Sequence, residues 1–120
     1  MRKHVVIIFL FLSITSCNRD KEIRHLLNSD TPTAIIEGSY KAGESGDKKY
    51  IPLLLYHAYD PSASTSLRWK GFTVYTETMF ALERILHIKP PHRYGDILES
   101  PDSVNVKFYS ALWQKMNRRK

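Results

Sequence analysis

After residue 30 the chain alternates between short apolar stripes and polar breaks, and the stripes repeat at helical rather than strand spacing. In "FTVYTETMFALERILHI", residues 72–88, Val74, Thr78, Ala81, Leu82 and Ile85 keep a 3.6-residue repeat for three turns. Tyr75, Met79 and Leu86 widen that face, and Lys89, Pro90 and Pro91 stop it. In "KKYIPLLLYHAYD", Ile51, Leu54, Leu55 and Ala58 fall at i, i+3, i+4 and i+7. Pro52 is tolerated only in a first turn, so this helix starts around Tyr50 or Ile51, and Asp60 and Pro61 end it. Upstream, Thr31 followed by Pro32 is a helix start, Ile35 with Ala42 and Ile36 with Tyr40 recur at helical spacing, and Gly43 suits a left-handed stop. A helix over about 32–42 follows, with "GESGD" as the turn. The last stripe begins at "ESPDS", where Ser100 can cap and Pro101 takes the first turn; Val104, Phe108, Ala111 and Leu112 then line one face over about 101–117.

This pattern predicts an all-α domain over 31–120, about four helices arranged in αα-hairpins. One stretch reads both ways. "SLRWKGFTVY" alternates partly as a strand does and is rich in aromatic and β-branched residues, so the alternative is an extended segment near 66–75 and an α+β fold.

The amino terminus follows a different pattern: Arg2 and Lys3, then the apolar run "VVIIFLFL" over 5–12, then small and polar residues around Cys17. Those are the three parts of a secretory signal peptide, and the run is too short for a bilayer-spanning helix. "ITSC", residues 14–17, resembles the lipobox of bacterial lipoproteins. That resemblance implies cleavage between Ser16 and Cys17, diacylglycerol on the Cys17 thiol and an acyl chain on the new amino terminus. Residues 1–16 are then a leader and 17–30 a lipidated tether, with a turn or two of helix carrying Ile23, Leu26 and Leu27. Cysteine arithmetic agrees, since a lone cysteine in an exported chain has no internal partner for a disulfide. Two or more acyl chains anchor durably where one does not. In such lipoproteins Asp after the cysteine is the usual signal to stay in the inner membrane; Asn18 is compatible with an outer membrane, where the organism has one.

Removing the leader takes Arg2 and Lys3 from the 18 basic residues and leaves 16 against 12 acidic ones, a formal +4. A mature chain of this size supports one core without disulfides. Nucleic acid is not an expected partner of an exported chain that lacks a recognisable binding motif. Arg118, Arg119 and Lys120, the basic end, instead suit anionic lipid headgroups or the dipole of a helix C-terminus.

Gly46 and Asp47, Ile51, Pro52 and Leu54, Asp60, Arg68, and Ala81, Leu82 and Ile85 follow one another in an order similar to HEAT-type repeats, over roughly 34–86. The connection after Asp60 is longer than such repeats usually have, and at most two units can be counted. The resemblance implies a scaffold that binds other proteins along its second helices, which makes Tyr50, Tyr56 and His57 candidate contacts. Arg68 and Trp69 join them, because Arg and Trp dominate interface hot spots.

Catalytic chemistry is not expected. His25, His57, His87 and His92 show no metal-ligand spacing, so neither a metal nor any cofactor beyond the lipid on Cys17 is predicted. The serines at 62–66 lack a nucleophile elbow, and "GESGD" lacks the Lys-Ser/Thr of a phosphate loop. The expected function is a membrane-anchored helical interaction module at the bacterial cell envelope with a protein partner. The alternatives are an immunity-type protein that neutralises a toxin there, or a structural lipoprotein that acts on the lipid surface alone.

Overall fold

A computed structural model describes residues 17–119; the leader with Ser16, and Lys120, lie outside the described residues. Five α-helices and no strand occur among them: α1 over 17–27, α2 (Pro32–Ser45), α3 (Ile51–Tyr56), α4 (Val74–Leu86) and α5 (Ser103–Arg118). A single 3₁₀ turn, Lys48–Tyr50, leads into α3. The all-α expectation therefore holds. The extended alternative at 66–75 reduces to two isolated bridges, Ala63 with Thr73 and Ser64 with Lys70, because Val74 and Tyr75 already belong to α4 and Trp69 turns back onto α2.

Helix α4 is the centre. Every residue from Val74 to Met79 is buried, as are Ala81, Leu82 and Ile85, because α2, α3 and α5 all pack against it. Its start is fixed by Thr73, whose hydroxyl accepts the Thr76 N–H at 3.2 Å. It stops at His87, before the expected Lys89–Pro91 break: His87 takes a left-handed conformation (φ 59°) and donates its N–H to the Glu83 carbonyl at 2.8 Å.

The most extensive helix pairing joins α2 to α4. Val74 packs with Ile35 and Ile36, and Gly43 faces Ala81, so the two helices run in the same direction. A Cβ on Gly43 would come within 3.0 Å of the Ala81 Cα. This glycine is therefore a point of close approach and not the expected stop. The helix runs on to Ser45 and ends at Gly46, in the left-handed region with φ 67°. After the turn, Asp47 accepts the Lys49 N–H and starts the 3₁₀ turn into α3, which is shorter than its apolar stripe suggested.

Residues 17–27 form a packed helix, longer than the expected turn or two. Ile23 and Leu27, at i and i+4 on α1, are fully buried in the main core with Leu54, Met79 and Leu82. The surrounding charges reach across to other elements. Asp20 accepts the Tyr50 hydroxyl proton at 2.7 Å and pairs with Lys49 at 3.2 Å, while Glu22 pairs with Lys41. Helix α1 runs antiparallel to α2 at close range, since a Cβ on Gly38 would meet Leu26 Cβ at 2.9 Å and the Leu27 backbone nitrogen at 3.0 Å. Backbone cannot step aside as a side chain can. Gly38→Ala is accordingly expected to cost about 1–3 kcal/mol, read as a lower urea midpoint at unchanged slope.

On α5 the buried face is rotated from the predicted one. Asn105, Val106 and Tyr109 are buried, and Phe108, Leu112 and Trp113 pack on the core, whereas Val104 and Ala111 are exposed. The helix starts after Asp102, not Ser100, with the Asp102 carboxylate accepting the Val104 and Asn105 N–H groups at 2.9 and 3.3 Å. A buried polar residue, Asn105, thus sits where an apolar pattern places solvent.

Candidate interaction surface

Three elements bring one aromatic and two guanidinium groups together. Tyr40 stands on the half-buried flank of α2, Arg84 on the last turn of α4, and Arg68 on the loop that connects α3 to α4. The Arg84 Cζ lies 5.3 Å from the Tyr40 ring centroid and the Arg68 Cζ 5.7 Å from it. Arg68 also lies over Trp69, at 4.7 Å, and the Tyr40 and Trp69 rings are 5.2 Å apart and tilted by 55°.

The local fold explains this meeting. Trp69 is only 9% exposed, anchored among Ile35, Ile36 and Val74, and the turn around it is closed by Trp69 N–H to the Ser66 carbonyl and Phe72 N–H to the Trp69 carbonyl. The preceding residue, Arg68, is thereby projected across α2. Arg84 reaches the same ring because the glycine–alanine contact at Gly43 and Ala81 lets α4 approach closely. Among the described residues no ion pair joins either arginine to a carboxylate. Beside them Tyr40, Gly43, Glu44, Arg84 and His87 line a shallow hollow of about 450 Å³.

Beneath this surface lies a buried acid. Glu77 on α4 is 5% exposed, and burial pushes its carboxyl up to about 7, with the Arg84 charge pulling the other way. The α2–α4 register brings Ser39 level with it, and the hydroxyls of Ser39 and Thr78 are buried without a hydrogen-bond partner. At the far end of α4, two loops are joined by the Leu98 N–H donating to the Gly71 carbonyl at 2.7 Å, and they expose Leu67, Ile97 and Leu98. Leu98 is held at φ 55°, a left-handed conformation uncommon for a bulky residue.

The residues expected from sequence are distributed unevenly. Cys17 is exposed at the start of α1, and Arg118 and Arg119 are exposed at the end of α5. Tyr56 is 83% exposed on α3. His57 is half-buried and committed, its Nε2 lying 2.6 Å from the Leu27 carbonyl; a carbonyl only accepts, so this nitrogen carries the hydrogen. Tyr50 is not a surface contact but a core residue, drawn inward with its hydroxyl on Asp20. That hydrogen bond, with Lys49 and Arg24 adding to it, holds the Asp20 carboxyl below its ordinary range, while burial raises the Tyr50 phenol. Trp69 is a loop anchor rather than an exposed one; Arg68 alone of that pair faces outward. Sequence reasoning did not single out Tyr40 and Arg84. Their only signal was the pair of small residues, Gly43 and Ala81, whose contact sets the helix spacing.

Comparison of the chain with family models, with curated proteins and with solved structures gives no match.

Proposed function

We propose that the chain is a lipid-anchored helical interaction module of the bacterial cell envelope, and that Tyr40, Arg68 and Arg84 receive an acidic group of its protein partner. The observation that carries the second part is the convergence of two guanidinium groups without ion pairs on one tyrosine ring. A guanidinium held over an aromatic face keeps its N–H edge free and pre-oriented, the geometry that forks a carboxylate in two parallel hydrogen bonds. Tyrosine and arginine are also residues that dominate interface energetics. The anchor rests on "ITSC" and on the exposed position of Cys17, which carries the diacylglycerol and the N-acyl chain. The parallel stacking of α2 on α4 supports a HEAT-like arrangement, since equivalent helices of successive repeats stack side by side. The module works by binding, with no catalytic residue, metal or nucleic acid in its role.

The test is capture from mildly crosslinked, detergent-solubilised envelopes with the tagged full-length chain, alongside an Arg68→Ala/Arg84→Ala variant. One stoichiometric protein is expected with the unsubstituted chain, and at least about a ten-fold loss of it with the variant, at unchanged circular dichroism. Retention of the partner by the variant would move the interface elsewhere. A lipidated bait that comes alone would end the interaction reading.

A further inference from the structure

We infer that the end of the domain that carries Cys17 is a bilayer-docking face, on which Trp113 and Met116 enter the headgroup layer while Lys48, Arg118 and Arg119 bind lipid phosphates. This rests on the lipid-anchor reading of Cys17. The helix directions bring the pieces together. Asp20, one turn into α1, pairs with Lys49 of the turn after α2, and the hollow beside them is shared by Arg19, Ile23, Ser45 and Tyr50. The same turn forms one wall of a second cleft, of about 500 Å³, whose other wall is the end of α5: Trp113, Met116 and Arg119. The start of α1, the end of α2, the start of α3 and the end of α5 therefore share one end of the molecule.

Distance then decides what that end meets. From Cys17 to Asp20 the chain is helical, so Asp20 stands only about 5 Å along the axis from the acylated residue. Whatever surrounds Asp20 and Lys49 is thereby brought to headgroup depth by the anchor itself. The side chains there suit that depth. Tryptophan is enriched at membrane interfaces, and each Lys or Arg near an anionic surface adds to the attraction. Lys49 is engaged with Asp20 and Asp47, at 3.2 and 3.7 Å, and so serves the fold. Among the described residues Lys48, Arg118 and Arg119 make no ion pair and stay available. Asp47 is the one acid on the cleft wall, and Lys49 already offsets it. The position of Arg118 and Arg119 at a helix C-terminus accounts for their charge but not for Lys48 and Trp113 across and along the same cleft.

The chain supplies its own control, because its other tryptophan, Trp69, lies among residues at the starts of α2 and α4, away from this end. The experiment uses the full-length chain matured in envelopes, its mass measured, then reconstituted in phosphatidylcholine–phosphatidylglycerol vesicles whose acyl chains are brominated close to the headgroups. Trp69→Phe and Trp113→Phe each leave a single tryptophan, excited selectively over the tyrosines. Bromine is expected to quench Trp113 at least about five-fold more efficiently than Trp69, and Lys48→Glu/Arg118→Glu/Arg119→Glu to bring the two level. In the unsubstituted chain, amides of 46–50 should exchange at least about ten-fold more slowly on vesicles than in neutral detergent. An acylated, folded chain in which both tryptophans are quenched alike, or in which 46–50 gain no protection, overturns the docking face and leaves the anchor standing. A cleft filled by a protein partner would give that same result on pure vesicles. A mass without acyl chains overturns the anchor and this inference with it.

Discussion

At pH 8 the Glu77→Gln variant is expected to be more stable than the unsubstituted domain by about 3 kcal/mol, and at pH 4 the two are expected to be equal. Glu77 is enclosed on α4, and burial raises its carboxyl from the ordinary 4.5 to about 7. The folded state therefore binds this proton more tightly than the unfolded chain does. Its contribution is fully present below about 4.5 and is lost as pH rises through about 7, the reverse of a salt-bridged carboxylate. Glutamine has the size of the protonated acid and never ionises, so the variant's stability should not fall through that window. Urea denaturation of residues 17–120, with Cys17→Ser, at pH 4, 6 and 8 measures the difference. A constant difference across pH would mean that the folded and unfolded chains bind this proton equally, so that burial does not raise the Glu77 carboxyl.

Asn105→Ala is expected to destabilise the domain by about 3 kcal/mol, although only a few atoms are removed. The side chain is fully buried, and its amide uses both ends. Nδ2 donates to the Tyr75 hydroxyl and to the His92 carbonyl, each at 3.1 Å, while Oδ1 accepts the His92 N–H at 2.8 Å. Alanine would leave those three groups without their partner, and an unsatisfied buried polar group costs about 1–3 kcal/mol. Asp102 completes the junction. It caps α5 and accepts a hydrogen bond from His92 Nδ1 at 2.7 Å, which is the main cause of its lowered carboxyl pKa. The loss should therefore be felt along the connection from α4 to α5. Amide exchange at His92 should accelerate well beyond the global change, whereas a purely global effect would show that Asn105 is a packing residue only.

Helices were legible where one face alone was apolar. The stripes of α2 and α4 predicted their axes, and Pro32 and Pro52 marked first turns correctly, because proline's fixed φ and missing N–H act locally. The errors came from residues whose role is set by a distant partner. Gly43 has the local signature of a stop, yet its lack of a side chain is used against Ala81. The charges of α1 look solvated until Tyr50, Lys49 and Lys41 are placed opposite them. The α5 stripe through Val104 and Ala111 reads as buried because nothing local reveals that Asn105 meets the Tyr75 hydroxyl in the core and both backbone groups of His92 on the preceding loop.

The candidate surface was legible in one residue. Arg68 was picked for its chemistry and Trp69 with it, but the tryptophan's bulk is what fixes the loop and aims the arginine. Arg84 and Tyr40 meet through tertiary spacing alone. Sequence periodicity places each on its helix without saying that the two helices run in the same direction.

Helix α1 begins at Cys17, and with the proposed acyl chains on that residue this would set how the molecule searches for partners. A flexible leash of 14 residues would let the body wander about 20 Å from its attachment point and tumble freely. A helix with Ile23 and Leu27 locked in the core is a strut. On the proposed anchor the body would be carried at constant height, with the exposed Leu67, Ile97 and Leu98 at the end opposite the attachment point. Encounters would then reduce to lateral drift and spin about one axis, and a partner would be met only where its own binding site stands at the matching height.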